Sequence, residues 1–213
     1  MSNIDLTVDL FGDSFNWNEA RHLSAKSYIC GFCNDKVSSE QGFSVSSFFN
    51  GATRVAHQRG IYICPSCSGP TFFDFKEENN QLPGVLIGHS IANIPEEINY
   101  IYYEARRSYS VGAYTGSVLL SRKMLMNITV YLGKTQGVEE GKSFAYYVDF
   151  LEKNGHIPLA TLGWVDHIRK QGNEATHKID VKTAEDAENL LLFIEMLLKI
   201  NFEYPSKIIP QQP

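Results

Sequence analysis

Apolar residues recur at steps of three and four from Ile98 through Ile101 or Tyr102, Ala105, Tyr109, Ala113, Gly116 and Leu119 or Leu120 to Ile128. That period gathers them on one stripe of an α-helix. A long amphipathic helix is therefore predicted from Ile94 to about Tyr131. Ile94-Pro95-Glu96-Glu97 opens it, with proline in the first turn and two acids at the positive end of the helix dipole. Gly112, Ala113 and Gly116 in its middle let another helix approach closely and admit a kink. A second helix is predicted over 142–153, burying Phe144, Tyr147, Phe150 and Leu151 and stopped by Asn154-Gly155. A third begins at Pro158. A fourth follows Thr183 and Asp186, which have the form of a capping box, and runs through Leu190, Leu191, Ile194, Leu197 and Leu198 to Tyr204-Pro205.

The preceding 93 residues carry no such period. Residues 1–29 are polar with scattered aromatics, Phe11, Phe15 and Trp17, and are expected to lie across the surface of a neighbouring element. Gly60 to Cys64 reads as a strand, and Phe43 to Phe49 as a strand or an insertion. Residues 68–94 read as a strand with Phe72, Phe73 and Phe75, then a connector through Glu77-Glu78 and Leu82-Pro83-Gly84. The expected fold class is mainly α: a small N-terminal α/β or β module, about 28–76, within residues 1–93, then a helical bundle over 94–205 and a flexible tail over 206–213.

All four cysteines fall in the N-terminal part as Cys30-Gly-Phe-Cys33 and Cys64-Pro-Ser-Cys67. Two CxxC turns can present four thiolates tetrahedrally to one Zn²⁺, and a closed Cys₄ set is structural rather than catalytic. Disulfides are the alternative, one that a cytoplasmic chain disfavours. A thioredoxin-like redox role would need one CxxC opening a helix in a βαβ unit, and here the second pair follows a strand. Structural zinc, held by Cys30, Cys33, Cys64 and Cys67, is the expected cofactor. In small modules such a metal supplies on the order of 10–16 kcal/mol of folding free energy.

Composition changes the picture little. Of 213 residues, 43% are hydrophobic and 12% aromatic, which suits an ordinary globular chain. No apolar run approaches the roughly 18 residues of a spanning helix, so no membrane role and a cytoplasmic location are expected. The formal net charge is -5, and neither half is basic, so any nucleic-acid contact must rest on a local patch. Glu104, Arg106 and Arg107 read as a solvated face with internal ion pairing, with phosphate contact as the alternative. His22, His57, His89, His156 and His167 are isolated and read as surface or capping residues, although His57 between Arg54 and Arg59 makes a small basic spot. There is no phosphate-binding glycine loop and no nucleophile elbow.

The most suggestive polar pattern lies in the third helix. Arg169, Asn173 and His177 are spaced by four and form one stripe, while Trp164, Ile168 and Ala175 turn the other way. A guanidinium, an amide and an imidazole together suit a phosphate, since Arg forks onto its oxygens and His can pass a proton near neutral pH. The same trio also suits a solvated helix face.

Several runs bring a family to view: Ile94-Pro95-Glu96-Glu97-Ile98, Tyr103-Glu104-Ala105-Arg106-Arg107, Gly112-Ala113-Tyr114-Thr115, Trp164-Val165-Asp166-His167-Ile168-Arg169 and Gly172-Asn173-Glu174-Ala175. Over about residues 90–204 the chain resembles the bacterial family catalogued as domain of unknown function 4145, and its CxxC pairs resemble the zinc-binding segment that often precedes that domain. The family in turn resembles the HEPN (higher eukaryotes and prokaryotes nucleotide-binding) superfamily. That resemblance implies a four-helix bundle that forms a homodimer, in a superfamily many of whose members are metal-independent ribonucleases of toxin, antiphage and RNA-processing systems. Its motif is Arg, a polar residue often Asn, three variable residues, then His. Asn173 and His177 fit the last two fixed positions, and Gly172 stands where the catalytic Arg belongs. Losing such a charge donor costs about 2.7–4 kcal/mol in comparable oxyanion sites; Arg169, one turn back, is the candidate substitute. The expectation is a noncatalytic or weakly active module of a defence or stress system that binds RNA or a larger nuclease or effector. The alternative is an endoribonuclease using Arg169, Asn173 and His177 at a dimer cleft.

Overall fold

A computed structural model describes residues 17–45, 48–50, 53–55, 59–74, 80–161, 163–165, 168 and 181–208. The chain divides into two compact units, 1–86 and 87–213. Among the described residues, no helix is long and apolar enough to cross a membrane.

The first unit is β. Strands β1 (Arg21–Ile29), β2 (Lys36–Val45), β5 (Arg59–Ile63), β6 (Pro70–Asp74) and β7 (Gln81–Leu82) form one antiparallel sheet in the order β1-β2-β5-β6-β7. Short strands β3 (Phe48–Asn50) and β4 (Thr53–Val55) pair separately. The long stretch between the cysteine pairs is thus β2, this small ribbon and β5, an insertion at the far end of a hairpin. Residues 21–29 are a strand, contrary to the expectation of an irregular N-terminal wrap. The reason lies in the partner: β2 supplies their backbone hydrogen bonds, a nonlocal source that local periodicity does not register. Trp17 is pinned outside the sheet, its indole donating to the Ser68 carbonyl at 2.8 Å.

Alternation sorts one face inward. Tyr28 and Cys30 are two apart on β1 and the residue following it, Tyr62 and Cys64 likewise at β5, and Thr71 and Phe73 on β6. In a strand such pairs share a face, and all six are buried. Tyr28, Tyr62 and Phe73 meet edge to face, with ring centroids 5.1–6.5 Å apart.

The second unit is helical: α1 (Glu96–Ser110), α2 (Tyr114–Leu132), α3 (Phe144–Lys153), α4 (Ala184–Leu198) and α5 (Tyr204–Ile208). Helix α2 packs against α1, α3 and α4, and its Met124, Leu125 and Ile128 are fully buried, each contributing about 1.5–3 kcal/mol of burial. The single long helix predicted from Ile94 is in fact two. At Gly112, φ is +78°; its N–H donates to the Tyr109 carbonyl and that of Ala113 to the Ser108 carbonyl. That pair of bonds is the Schellman stop, and the positive φ explains the glycine. The apolar steps stay in phase across the turn, so periodicity alone runs straight through it.

Asn154-Gly155 ends α3 with the equivalent pair of bonds, from Gly155 N–H to Glu152 and from His156 N–H to Leu151. Thr183 and Asp186 form the complete capping box that starts α4. The chain does not stop at Tyr204-Pro205. A π-turn over Lys199–Glu203 passes directly into α5. The Asn201 side chain sits in that turn, its Nδ2 donating to the Leu197 carbonyl and its Oδ1 accepting from His156 Nδ1 at 2.8 Å, so His156 is a tie between segments rather than an isolated histidine.

Candidate metal centre

The two CxxC turns are built alike. In the first, Asn34 N–H donates to the Cys30 carbonyl (2.8 Å) and Cys30 N–H to the Asp35 carbonyl (2.9 Å). In the second, Ser68 N–H donates to the Cys64 carbonyl and Cys64 N–H to the Gly69 carbonyl, both at 2.9 Å. The residue after each second cysteine, Asn34 or Ser68, has a positive φ of 62° or 58°. Each turn therefore curls around its own sulfurs by the same device. They face each other closely. A side chain at Gly31 would strike the carbonyls of Pro83 and Gly84 at 2.5 Å, so the connector after β7 crosses the first turn where only hydrogen leaves room.

The sulfurs converge. Cys30 and Cys67 are 3.7 Å apart, Cys33 and Cys64 3.8 Å, and all four lie within 4.8 Å of one another. Tetrahedral zinc with Zn–S bonds of about 2.3 Å requires sulfurs about 3.8 Å apart, whereas a disulfide needs about 2.05 Å. The four cysteines are free thiols at metal-ligand spacing. Such a metal would tie the two turns together and neutralise their charge.

The thiols constrain one another. The Cys67 S–H bond to Cys30 holds the Cys30 thiol down to about 5 against the opposing effect of burial. Burial pushes Cys33 up to about 12, and Cys67, whose proton is held by Cys30, rises further. Four thiolates gather only around a cation, which inverts this order. The amide of Phe32 points at Cys30 Sγ, 3.4 Å away. Burial first, then the neighbouring Cys64 and Cys30, push the Tyr28 phenol well above its ordinary range. Thr71 opposes that rise from beside the phenol; both hydroxyls are sealed from solvent, and neither makes a well-aligned hydrogen bond.

A second polar centre lies in the helical unit, where the sequence pattern predicts a solvated face. Arg106 is 1% exposed. Its Nε donates to the Ile87 carbonyl at 2.5 Å and its Nη2 to the Gly88 carbonyl at 2.7 Å, and it lies 5.3 Å from the rings of Tyr102 and Tyr103. Nearby, Glu195 Oε1 accepts from Lys199 and pairs with His89 Nδ1 at 2.9 Å. Burial raises the Glu195 carboxyl, but these two partners outweigh it and the net shift is downward. His89 and Glu195 are 106 positions apart, a separation that no local spacing rule bridges. Beside them a groove of about 470 Å³ has Leu192, Met196, Ile200 and Tyr204 in its lining.

Arg169, Asn173 and His177 lie outside the described residues, as do His57, His167 and the residues after Ile208. Of the face predicted to turn away from that stripe, Ile168 is buried and Trp164 meets Phe193 edge to face at 5.4 Å; Val165, four positions before Arg169, is buried as well.

The sequence profile of the family described as Domain of unknown function (DUF4145) matches residues 103–211, just over half of the chain. The chain belongs to that family. Neither a curated protein nor a solved structure matches it. The DUF4145 match takes in Arg106, Glu195 and the Arg169-Asn173-His177 stripe and leaves the four cysteines outside, in the preceding β unit.

Proposed function

We propose that this DUF4145 protein is a docking module: a zinc-stapled ribbon joined to a HEPN-like four-helix bundle, noncatalytic or weakly active, binding RNA or a larger nuclease or effector in a bacterial defence or stress system and pairing as a homodimer in the cytoplasm. The observation that carries this reading is how the reactive groups of the helical unit are occupied. Arg106 is committed to two backbone carbonyls, and His89 and Lys199 are both committed to Glu195. The groove beside Glu195, with an apolar floor and a few polar groups, has the make-up of a recognition surface. In the motif segment, Gly172 replaces the charge that would steady a phosphoryl transition state.

The retained Asn173 and His177 favour a second reading, metal-independent RNA cleavage with His177 as general acid or base and Arg169 as the cation. Incubating the purified chain with total RNA in EDTA separates the two. Intact RNA is the expected result. Cleavage that survives chelation and disappears in His177→Ala would replace the docking reading with the ribonuclease, and loss of that cleavage in Arg169→Ala would assign the substitute cation. Sedimentation of the same sample reads the dimer.

A further inference from the structure

We propose that the groove beside Glu195 is covered by the same groove of a second copy, the α4–α5 rods of the two chains lying antiparallel about a two-fold axis at Met196. This rests on the homodimer reading and names the face through which the copies pair. Helix α4 turns Ala187, Leu190, Leu191, Ile194, Leu197 and Leu198 into the core, and the opposite side of such a helix is ordinarily polar. Here it carries a second apolar row, Leu192, Met196, Ile200 and Tyr204. In an α-helix each step of four overshoots one turn by about 40°. The wider π-turn over Lys199–Glu203 takes that drift back, and all four side chains line one groove. Leu192 is 38% exposed and Tyr204 47%. A continuous apolar row left open in this way marks an interaction surface.

Charge along the rod says what covers it. The row is acidic at its start, where Glu185 is exposed in the first turn of α4. It is basic at its end, where Lys207, though held to Glu203 on its own chain, keeps 62% of its side chain exposed. Leu192 and Ile200 stand four positions either side of Met196, and Glu185 and Lys207 eleven positions either side. A pattern of this kind complements itself under a two-fold axis, where residue i meets j and j meets i. Antiparallel pairing brings Leu192 of one copy to Ile200 of the other, Met196 to its own counterpart and Glu185 to Lys207; parallel pairing would set acid on acid. The charged groups inside the groove, Glu195 with Lys199 and His89, are already paired, so covering them strands no charge.

The test is sedimentation equilibrium of the full chain. The wild type should form a dimer, and Leu192→Asp and Ile200→Asp should each raise its dissociation constant by about 30-fold or more, the range of a residue that anchors an interface. Leu119→Asp, at an exposed position of α2, should leave it unchanged. Glu185→Lys and Lys207→Glu should each weaken the dimer by roughly fivefold, and the two together should restore it. Both lie on the surface, so they decide the pairing even where an Asp variant folds poorly by circular dichroism. A monomeric wild type removes the homodimer reading and leaves the groove to an unlike partner. A wild-type dimer that both Asp variants leave intact overturns this face alone, and single charge reversals that the double variant fails to rescue overturn the antiparallel arrangement.

Discussion

The guanidinium of Arg106 reaches the Gly88 carbonyl at 2.7 Å from inside a helical core, and so fixes a segment 18 positions earlier in the chain. Its planar fork serves two carbonyls at once and stacks over two tyrosine rings, which an ammonium cannot do. Arg106→Lys should therefore destabilise the helical unit by about 2–4 kcal/mol, the cost of losing a charged hydrogen bond and stranding a buried carbonyl. Urea denaturation followed by helical circular dichroism reads this; a loss within the range of ordinary surface substitutions would show that Arg106 is not the anchor.

Glu195 gives the same region a pH dependence whose sign follows from its shift. Its carboxyl is held below the ordinary value of 4.5 in the folded chain. A depressed carboxylate contributes stability that is fully present above the unfolded value and is lost as pH falls through the folded one. Glu195→Gln carries no such charge at any pH. The thermal midpoint of the wild type should exceed that of Glu195→Gln at neutral pH, and the gap should close progressively below about pH 4.5. A gap that stays constant into acid would mean that the ionised carboxylate contributes nothing through Lys199 and His89.

What the sequence discloses here divides by range. Cys30, Cys33, Cys64 and Cys67, the Thr183–Asp186 box and the Asn154-Gly155 stop are short patterns whose physics is complete within a few residues, and each is where its spacing puts it. The break at Gly112 escaped because Tyr109, Ala113 and Gly116 keep helical phase across a turn that is not helical. Arg106 looked solvated because its acceptors, the carbonyls of Ile87 and Gly88, are backbone atoms that every residue possesses and no pattern marks. Strand β1 depended on a partner strand. The burial of Tyr28, Tyr62 and Phe73 around the cysteines was legible only once the register of β1, β5 and β6 set them on one face.

The capping box admits a local test. Thr183 Oγ1 accepts from the Asp186 N–H at 3.2 Å, and Asp186 Oδ2 accepts from the Thr183 N–H at 2.9 Å. Thr183→Ala removes the first bond and should cost about 1 kcal/mol, with Thr183→Ser restoring most of it. A thermal midpoint unchanged in Thr183→Ala would mean that packing of Ala187, Leu190 and Leu191 alone fixes where α4 begins.

Metal removal should separate the two units. The β unit's core is small: Tyr28, Val37, Tyr62 and Phe73 packed around cysteines, with Leu23 and Phe32 partly buried against them. A core of that size rarely holds a fold without a staple, while the helical unit has its own much larger set of buried side chains. One zinc per chain is expected by elemental analysis. Stripping it with a strong chelator should raise amide exchange across 59–74 to the level of an open chain while 114–132 stays protected, and Cys64→Ser should do the same without chelator, since a hydroxyl replaces one of the four sulfurs. The physical reason is that binding free energy and folding free energy are one quantity when the site exists only in the folded state. Retained protection over 59–74 in the metal-free chain would show that the sheet stands on its own packing and that the four thiols serve something other than its fold.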